Sequence, residues 1–172
     1  AKYVQQNLAT KSTTVYTDAA PYTGSSHYSP VAVAIDSLAS ASVRDCTVTK
    51  EEELAVALAV VAGYRSNTSL TILTDSREAC RNYMNGRIGR ATLGLLQSAT
   101  PPNVAYNIYW VPGHTDIAGN ERASEVAREY TSRASSQSDN LPERVSPTYS
   151  DILNYYNNSI QQLHLTCTHL WG

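Results

Sequence analysis

Cysteine is scarce in this chain of 172 residues, which has only Cys46, Cys80 and Cys167. Their number is odd and their spacing is wide, which excludes a disulfide framework and a paired CxxC metal site. We therefore expect a reducing, intracellular location, the cytoplasm or the nucleus. The histidines and cysteine of the segment 164–169 are donor types for zinc, but they lack the paired spacing of a structural zinc site.

Long apolar runs are missing as well. No stretch approaches the roughly 20 residues that a membrane-spanning helix needs, so we expect no membrane partner. No segment has the pattern of a signal peptide. The sequence starts at Ala1 rather than Met, which favours a piece of a longer protein.

A strong charge of either sign is also absent. The formal net charge is −2 and 42% of the residues are hydrophobic, an ordinary composition for one globular domain with a core. This balance excludes a protein that binds nucleic acid through a general basic excess. Any contact with a polyanion must be local or come from a neighbouring domain.

Three strands are predicted in the first third of the chain, where Thr, Val, Ile and Tyr recur between turn residues. They cover about residues 12–19, Tyr28–Ser37 and Ser40–Val48. The links between them are short, so the three strands are expected to form an antiparallel meander.

Helices and strands alternate after Thr49. The run Thr49-Lys50-Glu51-Glu52 is a capping-box signature, and the apolar helix behind it is expected to end near Gly63. Ser76 is expected to cap a helix that follows. The remaining predicted elements are strand Ser69–Leu73, helices over 77–84 and Arg90–Ala99, strand Val104–Val111 and a helix from Ala118 to about 133.

This order predicts an α/β fold. We expect a mixed five-stranded sheet, three antiparallel strands and then β/α alternation, with helices on both faces. Residues 1–11 are predicted to be an N-terminal linker and 12–134 the domain. Residues 135–172 are predicted to be a linker and a helical tail, with an amphipathic helix over about 150–164.

Three acidic residues occupy comparable places in this predicted fold. Asp18 is expected to end the first strand, Asp75 the fourth, and Glu52 lies in the first turn of the first helix. Three carboxylates at one sheet edge would repel each other and raise each other's pKa. A hard divalent cation relieves that repulsion, and oxygen-only ligands favour Mg²⁺ or Mn²⁺. Two such ions about 3.5–4 Å apart can clamp the oxygens of a phosphodiester displacement.

The most specific stretch is Trp110–Ala123, which reads WVPGHTDIAGNERA. It closely resembles the His-loop and final-helix motif of the ribonuclease H family. The segments Tyr16-Thr17-Asp18, Glu52–Val56 and Leu73–Ser76 resemble the other three motifs of that family, in the same order. The resemblance covers about residues 13–134. It is closest in style to the ribonuclease H domain of non-LTR retrotransposon polyproteins.

The resemblance implies an endonuclease that hydrolyses the RNA strand of RNA–DNA hybrids with two Mg²⁺ or Mn²⁺ ions. Asp18 would bridge both ions, and Glu52 and Asp75 would complete the site of one of them. Glu53 is an alternative to Glu52 as ligand. His114 lies on the loop that, in this family, helps the product leave or moves a proton.

The chain departs from the family at residue 124. The family has an aspartate there, a ligand of the ion that activates water, whereas this chain has Ser124. A neutral hydroxyl is a poor ligand for Mg²⁺. Glu121 and Asp116 are possible substitutes. The departure leaves two hypotheses: an active ribonuclease H, and a weak or inactive module that binds hybrids or acts as a scaffold.

Basic residues between the second and third predicted helices could contact phosphates. Arg87 and Arg90 are the candidates, beside Arg77 and Arg81. A solvated helix surface explains the same pattern. The resemblance also implies reverse transcriptase domains of the same polyprotein as partners, and it leaves the oligomeric state open.

Overall fold

Six strands and four helices make up the part of the chain that is described here. The computed structural model describes residues 3, 7–8, 11–21, 28–34, 38–41, 47–99, 106–134 and 165–169. The strands are β1 (Thr14–Pro21), β2 (Tyr28–Ala34), β3 (Leu38–Ser40), β4 (Thr71–Thr74), β5 (Tyr106–Trp110) and β6 (Leu165–His169). The helices are α1 (Val48–Ser66), α2 (Arg77–Met84), α3 (Arg90–Gln97) and α4 (Ala118–Ala134).

The strands form one open sheet in the order β3-β2-β1-β4-β5-β6. Strand β2 pairs antiparallel with both β1 and β3. Strand β4 pairs parallel with β1 and β5, and β6 is parallel to β5. The predicted α/β class is therefore confirmed, and the sheet contains parallel and antiparallel pairs.

The sheet has one strand more than the five predicted. Residues Leu165–His169 pair with Tyr106–Trp110, whereas the sequence predicted a helical tail. Thr166 and Thr168 favour a strand, and β5 would otherwise expose a row of unpaired backbone groups at the sheet edge. The predicted helix over about 150–164 lies outside the described residues.

Helix α1 begins earlier than the sequence predicted. Val48, which was predicted to end a strand, is its first residue, and Thr47 is the N-cap instead of Thr49. The Thr47 carbonyl accepts the first helical hydrogen bond from the Glu51 amide at 3.1 Å, but the Thr47 side chain makes no capping hydrogen bond. The capping-box signature therefore marked the helix but placed its first residue wrongly.

Helix α1 also continues past Gly63, where it was predicted to end. A Cβ on Gly63 would lie 2.8 Å from Leu70 Cδ1 and from Tyr106 Cε1. The glycine is needed for this close packing and not for a left-handed turn. Asn67, at φ 50°, provides that turn after Ser66. At 19 residues α1 is the longest described helix, and none of the described helices is long and apolar enough to cross a membrane.

The sheet carries apolar side chains on both faces, because successive residues of a strand alternate between them. On one face Val15, Ile72 and Ile108 pack with residues of α1 such as Val56 and Val60. On the other face the apolar cluster belongs to the α4 side, and it consists of Leu8, Tyr16, Leu73, Val111, Ile117 and Ala123. Leu8 thus packs in the core although its segment was predicted to be a linker.

Two helical glycines give a matched test of this packing. A Cβ on Gly119 in α4 would overlap the ring of Tyr16, whereas a Cβ on Gly94 in α3 would meet nothing within 4 Å. Gly119→Ala should lower the free energy of unfolding by about 1–3 kcal/mol through overpacking. Gly94→Ala should raise it by about 0.5–1 kcal/mol, since alanine favours a helix. Urea unfolding of both variants measures the two effects, and an equal effect of both would contradict this packing.

Candidate metal centre

The register of the parallel pair β1 and β4 places two aspartates side by side. The last residues paired between these strands are Thr17 and Thr74. Asp18 and Asp75 are the next residue of each chain segment. The sequence predicted that Asp18 ends its strand, but β1 continues to Pro21 in its pairing with β2. Asp18 instead lies where the parallel pairing of β1 with β4 ends, so its side chain still lies close to that of Asp75.

Helix α1 brings the third carboxylate to this point. Glu52 is near the start of α1, which packs against β1 and β2. One carboxylate oxygen from each of Asp18, Glu52 and Asp75 lies within 4.8 Å of the others. Asp18 and Glu52 are buried and Asp75 is partly exposed. The structure therefore brings together three residues that lie far apart in the sequence.

Asp75 is held by groups from the Trp110–Ala123 segment. Asn120 Nδ2 donates to Asp75 Oδ2 at 3.3 Å, and Trp110 Nε1 donates to the Asp75 carbonyl at 3.0 Å. Gly113 lies so close that a Cβ on it would be 3.0 Å from Asp75 Oδ2. Sequence reasoning assigned no role to Asn120 or Trp110, although both lie in the motif that it singled out.

The ionised forms of Asp18 and Glu52 are disfavoured in this cluster. Burial raises the pKa of the Asp18 carboxyl, and the charge of Asp75 raises it further. Hydrogen bonds from Ser124 and from the Ala19 amide lower it in part. Burial and then the charges of Asp18 and Asp75 raise the pKa of Glu52 well above its ordinary value. Placing a cation between the three groups would remove this penalty.

The residues present fit a hard divalent cation. All three side chains offer oxygen, the donor that Mg²⁺ and Mn²⁺ prefer. Among the described residues, the buried oxygen Glu52 Oε2 has no hydrogen-bond partner, and such an atom is costly unless something binds it. The cluster could therefore hold a metal ion.

The structure separates the roles of the two neighbouring glutamates. Glu53 Oε1 accepts from Asn82 Nδ2 at 2.7 Å, and Glu53 Oε2 accepts from the Gly89 amide at 2.6 Å. The Glu53 carboxylate is thus bonded to α2 and to the start of α3. Glu52, and not the alternative Glu53, belongs to the carboxylate cluster.

Ser124 contacts the cluster from α4. A hydrogen bond joins its hydroxyl to Asp18, and Arg128 Nη2 donates to Ser124 Oγ at 2.7 Å. Neither proposed substitute for a carboxylate at this position, Glu121 or Asp116, joins the described cluster. Sequence reasoning missed Arg128, although a residue four positions after Ser124 lies on the same helical face.

The loop after β5 has an unusual backbone. His114 and Asp116 have φ angles of 55° and 56°, in the left-handed region that glycine, asparagine and aspartate tolerate best. His114 is exposed and lies next to Gly113, which packs on Asp75. The loop is therefore anchored beside the carboxylates while its imidazole is open to solvent.

The candidate phosphate contacts lie at the turn before α3. Arg87 and Arg90 are exposed, and Arg90 begins α3. The stem of Lys50 lies against Gly89, at the same turn. Glu53, the residue after Glu52 in α1, accepts a hydrogen bond from the Gly89 amide and so ties this turn to the start of α1. Arg81 instead pairs with Glu78 at 3.3 Å on the exposed side of α2.

The neighbouring glutamates should respond oppositely to neutralisation. A raised folded-state pKa means that Glu52 costs the metal-free protein stability as the pH rises from the ordinary glutamate value through the folded one. Glu52→Gln should therefore increase the free energy of unfolding at neutral pH in EDTA, and the gain should vanish at acid pH. Glu53→Gln should decrease it by about 1–3 kcal/mol, because an amide cannot accept both of its bonds. Urea unfolding at several pH values measures both effects, and a pH-independent effect of Glu52→Gln would contradict the first.

Comparison with known proteins does not place this chain in a family. No protein-family model matches the sequence, and no curated protein matches it significantly. The carboxylate cluster and the four ordered motifs are therefore the features that indicate a function.

Proposed function

We propose that this protein is a metal-dependent endoribonuclease that hydrolyses the RNA strand of RNA–DNA hybrids. The observation that carries the proposal is the meeting of Asp18, Glu52 and Asp75 within 4.8 Å. These are the three residues at which the ribonuclease H motifs predict metal ligands. Their separation in the sequence makes an accidental meeting at one sheet edge a poor explanation.

The chain's own residues have distinct tasks in this proposal. Asp18, Glu52 and Asp75 would hold Mg²⁺ or Mn²⁺, and Asn120 orients Asp75 through its hydrogen bond. The bound metal would activate water and stabilise the charge that develops on the phosphate oxygens. The family resemblance implies two ions. The resemblance also implies that His114, which is exposed on the loop beside Asp75, helps the product leave or moves a proton.

The substrate class is supported by the motifs and by the basic turn. A ribonuclease H reads 2′-hydroxyls and backbone shape more than base identity. Arg87, Arg90 and Lys50 are exposed around the start of α3, where they can meet phosphates of a bound duplex. A hybrid is the natural substrate of a domain joined to a reverse transcriptase, which would act in the cytoplasm or the nucleus.

One observation favours a second candidate function, a hybrid-binding module with weak or no catalysis. The position at which the family has a fourth carboxylate holds Ser124, whose hydroxyl is bonded to Asp18 and Arg128. A hydroxyl in these bonds is a weaker metal ligand than a carboxylate. Cleavage rate in Mg²⁺ and in Mn²⁺ distinguishes the two functions.

Asp18→Asn should abolish hybrid cleavage, because it removes the buried carboxylate that contacts both Glu52 and Ser124. It should also reduce the rise in melting temperature on adding Mn²⁺, since a ligand stabilises the state that binds it. The control is Glu78→Gln, which neutralises an exposed carboxylate of α2 and should leave both readouts unchanged. Undiminished cleavage by Asp18→Asn would sink the proposed function, and metal stabilisation without any cleavage by the wild type would favour the binding module.

The preferred substrate should be the hybrid. The protein should cleave an RNA strand paired with DNA, leave duplex DNA intact, and bind less tightly as salt rises. The double variant Arg87→Gln and Arg90→Gln should weaken hybrid binding and flatten the salt dependence, because both side chains are exposed and near one turn. Arg81→Gln, which removes an arginine paired with Glu78, is the matched control. Equal cleavage of duplex DNA would contradict the substrate class.

A further inference from the structure

The polar side chains of α4 beside the cluster form a directed chain of hydrogen bonds. Arg128 Nη2 donates to Ser124 Oγ at 2.7 Å, and Ser124 in turn bonds to Asp18. A guanidinium only donates and an ionised carboxylate only accepts. The Ser124 hydroxyl must therefore accept from Arg128 and point its proton at Asp18. Arg128 thus fixes the orientation of the hydroxyl that donates to Asp18.

This arrangement leaves little for a second ion on the Ser124 side of Asp18. The Ser124 hydroxyl accepts a hydrogen bond from Arg128, and it donates its own proton in a hydrogen bond to Asp18. An ion placed there would have to break that bond and would meet the charge of the guanidinium. Among the described residues, no fourth carboxylate joins Asp18, Glu52 and Asp75 to attract it.

The charges also balance with one ion. Three ionised carboxylates carry three negative charges, a divalent ion supplies two positive charges, and Arg128 supplies the third. Arg128 is a fitting partner because its guanidinium donates to Ser124, the residue that contacts Asp18. Arg122, which precedes Arg128 in α4, is instead paired with Glu125 at 3.2 Å.

We propose that the centre holds a single divalent ion and that Arg128, acting through Ser124, takes the place of a second one. Arg128 is in this sense a positioning residue, because it fixes the Ser124 hydroxyl and through it Asp18. The inference rests on the proposed function only in requiring that the cluster binds a metal. It revises the two-ion centre that the family resemblance implies.

The proposal makes a non-additive prediction about Ser124. If the missing carboxylate alone kept a second ion away, Ser124→Asp would be sufficient to create a second site. If Arg128 acts as proposed, it will pair with the new aspartate four residues earlier in the helix and neutralise it. A second ion will then bind only when Ser124→Asp is combined with Arg128→Gln.

The experiment counts Mn²⁺ bound to the full chain by electron paramagnetic resonance, with melting curves to show that each variant is folded. We expect one ion for the wild type, for Ser124→Asp and for Arg128→Gln, and two for the double variant Ser124→Asp with Arg128→Gln. The matched control combines Ser124→Asp with Arg122→Gln. It makes the same change of net charge on the same helix, and it should bind one ion.

Each departure from this pattern has a separate meaning. Two ions in the wild type or in Ser124→Asp alone would overturn the role of Arg128 and leave the proposed function standing. One ion in the double variant, or two in the Arg122 control, would overturn it as well. No Mn²⁺ bound to the folded wild type would overturn the metal centre itself, and with it the proposed function.

Discussion

Crowding of three carboxylates, two of them buried, is the constraint on which the arrangement of this protein depends. The parallel register of β1 and β4 places Asp18 next to Asp75, and the packing of α1 adds Glu52. Burial raises the pKa of Asp18 and of Glu52, and the charges of neighbouring aspartates raise both further. The fold thus maintains a site that is unfavourable by itself. The apolar contacts between the sheet and α1 stabilise the elements that hold the carboxylates together.

The polar groups around the cluster are of two kinds. Glu53 is fully bonded, to Asn82 and to the Gly89 amide, and it ties α1 to the basic turn. Its neighbour Glu52 keeps a buried oxygen without a partner in the described structure. On the other side, Ser124 of α4 donates to Asp18 and accepts from Arg128. The satisfied groups fix geometry, whereas the unsatisfied oxygen marks the direction from which a ligand would bind.

The loop between β5 and α4 connects this electrostatic site to the core. Gly119 lies directly on the ring of Tyr16, and Gly113 lies on the carboxylate of Asp75. Such close approaches allow Asn120 to reach Asp75 from the first turn of α4. The left-handed conformations of His114 and Asp116 complete the turn between these contacts. The conspicuous sequence of this segment therefore has a packing role besides any catalytic one.

The sequence by itself determined the α/β class, the helix cap Ser76 and the candidate ligands Asp18, Glu52 and Asp75. The Ser76 cap is confirmed by the Ala79 amide, which donates to Ser76 Oγ at 3.2 Å. These follow from local periodicity, local hydrogen bonds and short motifs. Only the tertiary structure decided that Gly63 lies inside α1, that Leu165–His169 joins the sheet, and that Glu53 bonds to Asn82 and to the Gly89 amide. It alone brought Arg128 to Ser124 beside Asp18. The reason is that each of these outcomes depends on contacts between segments far apart in the chain, which propensity and spacing do not contain.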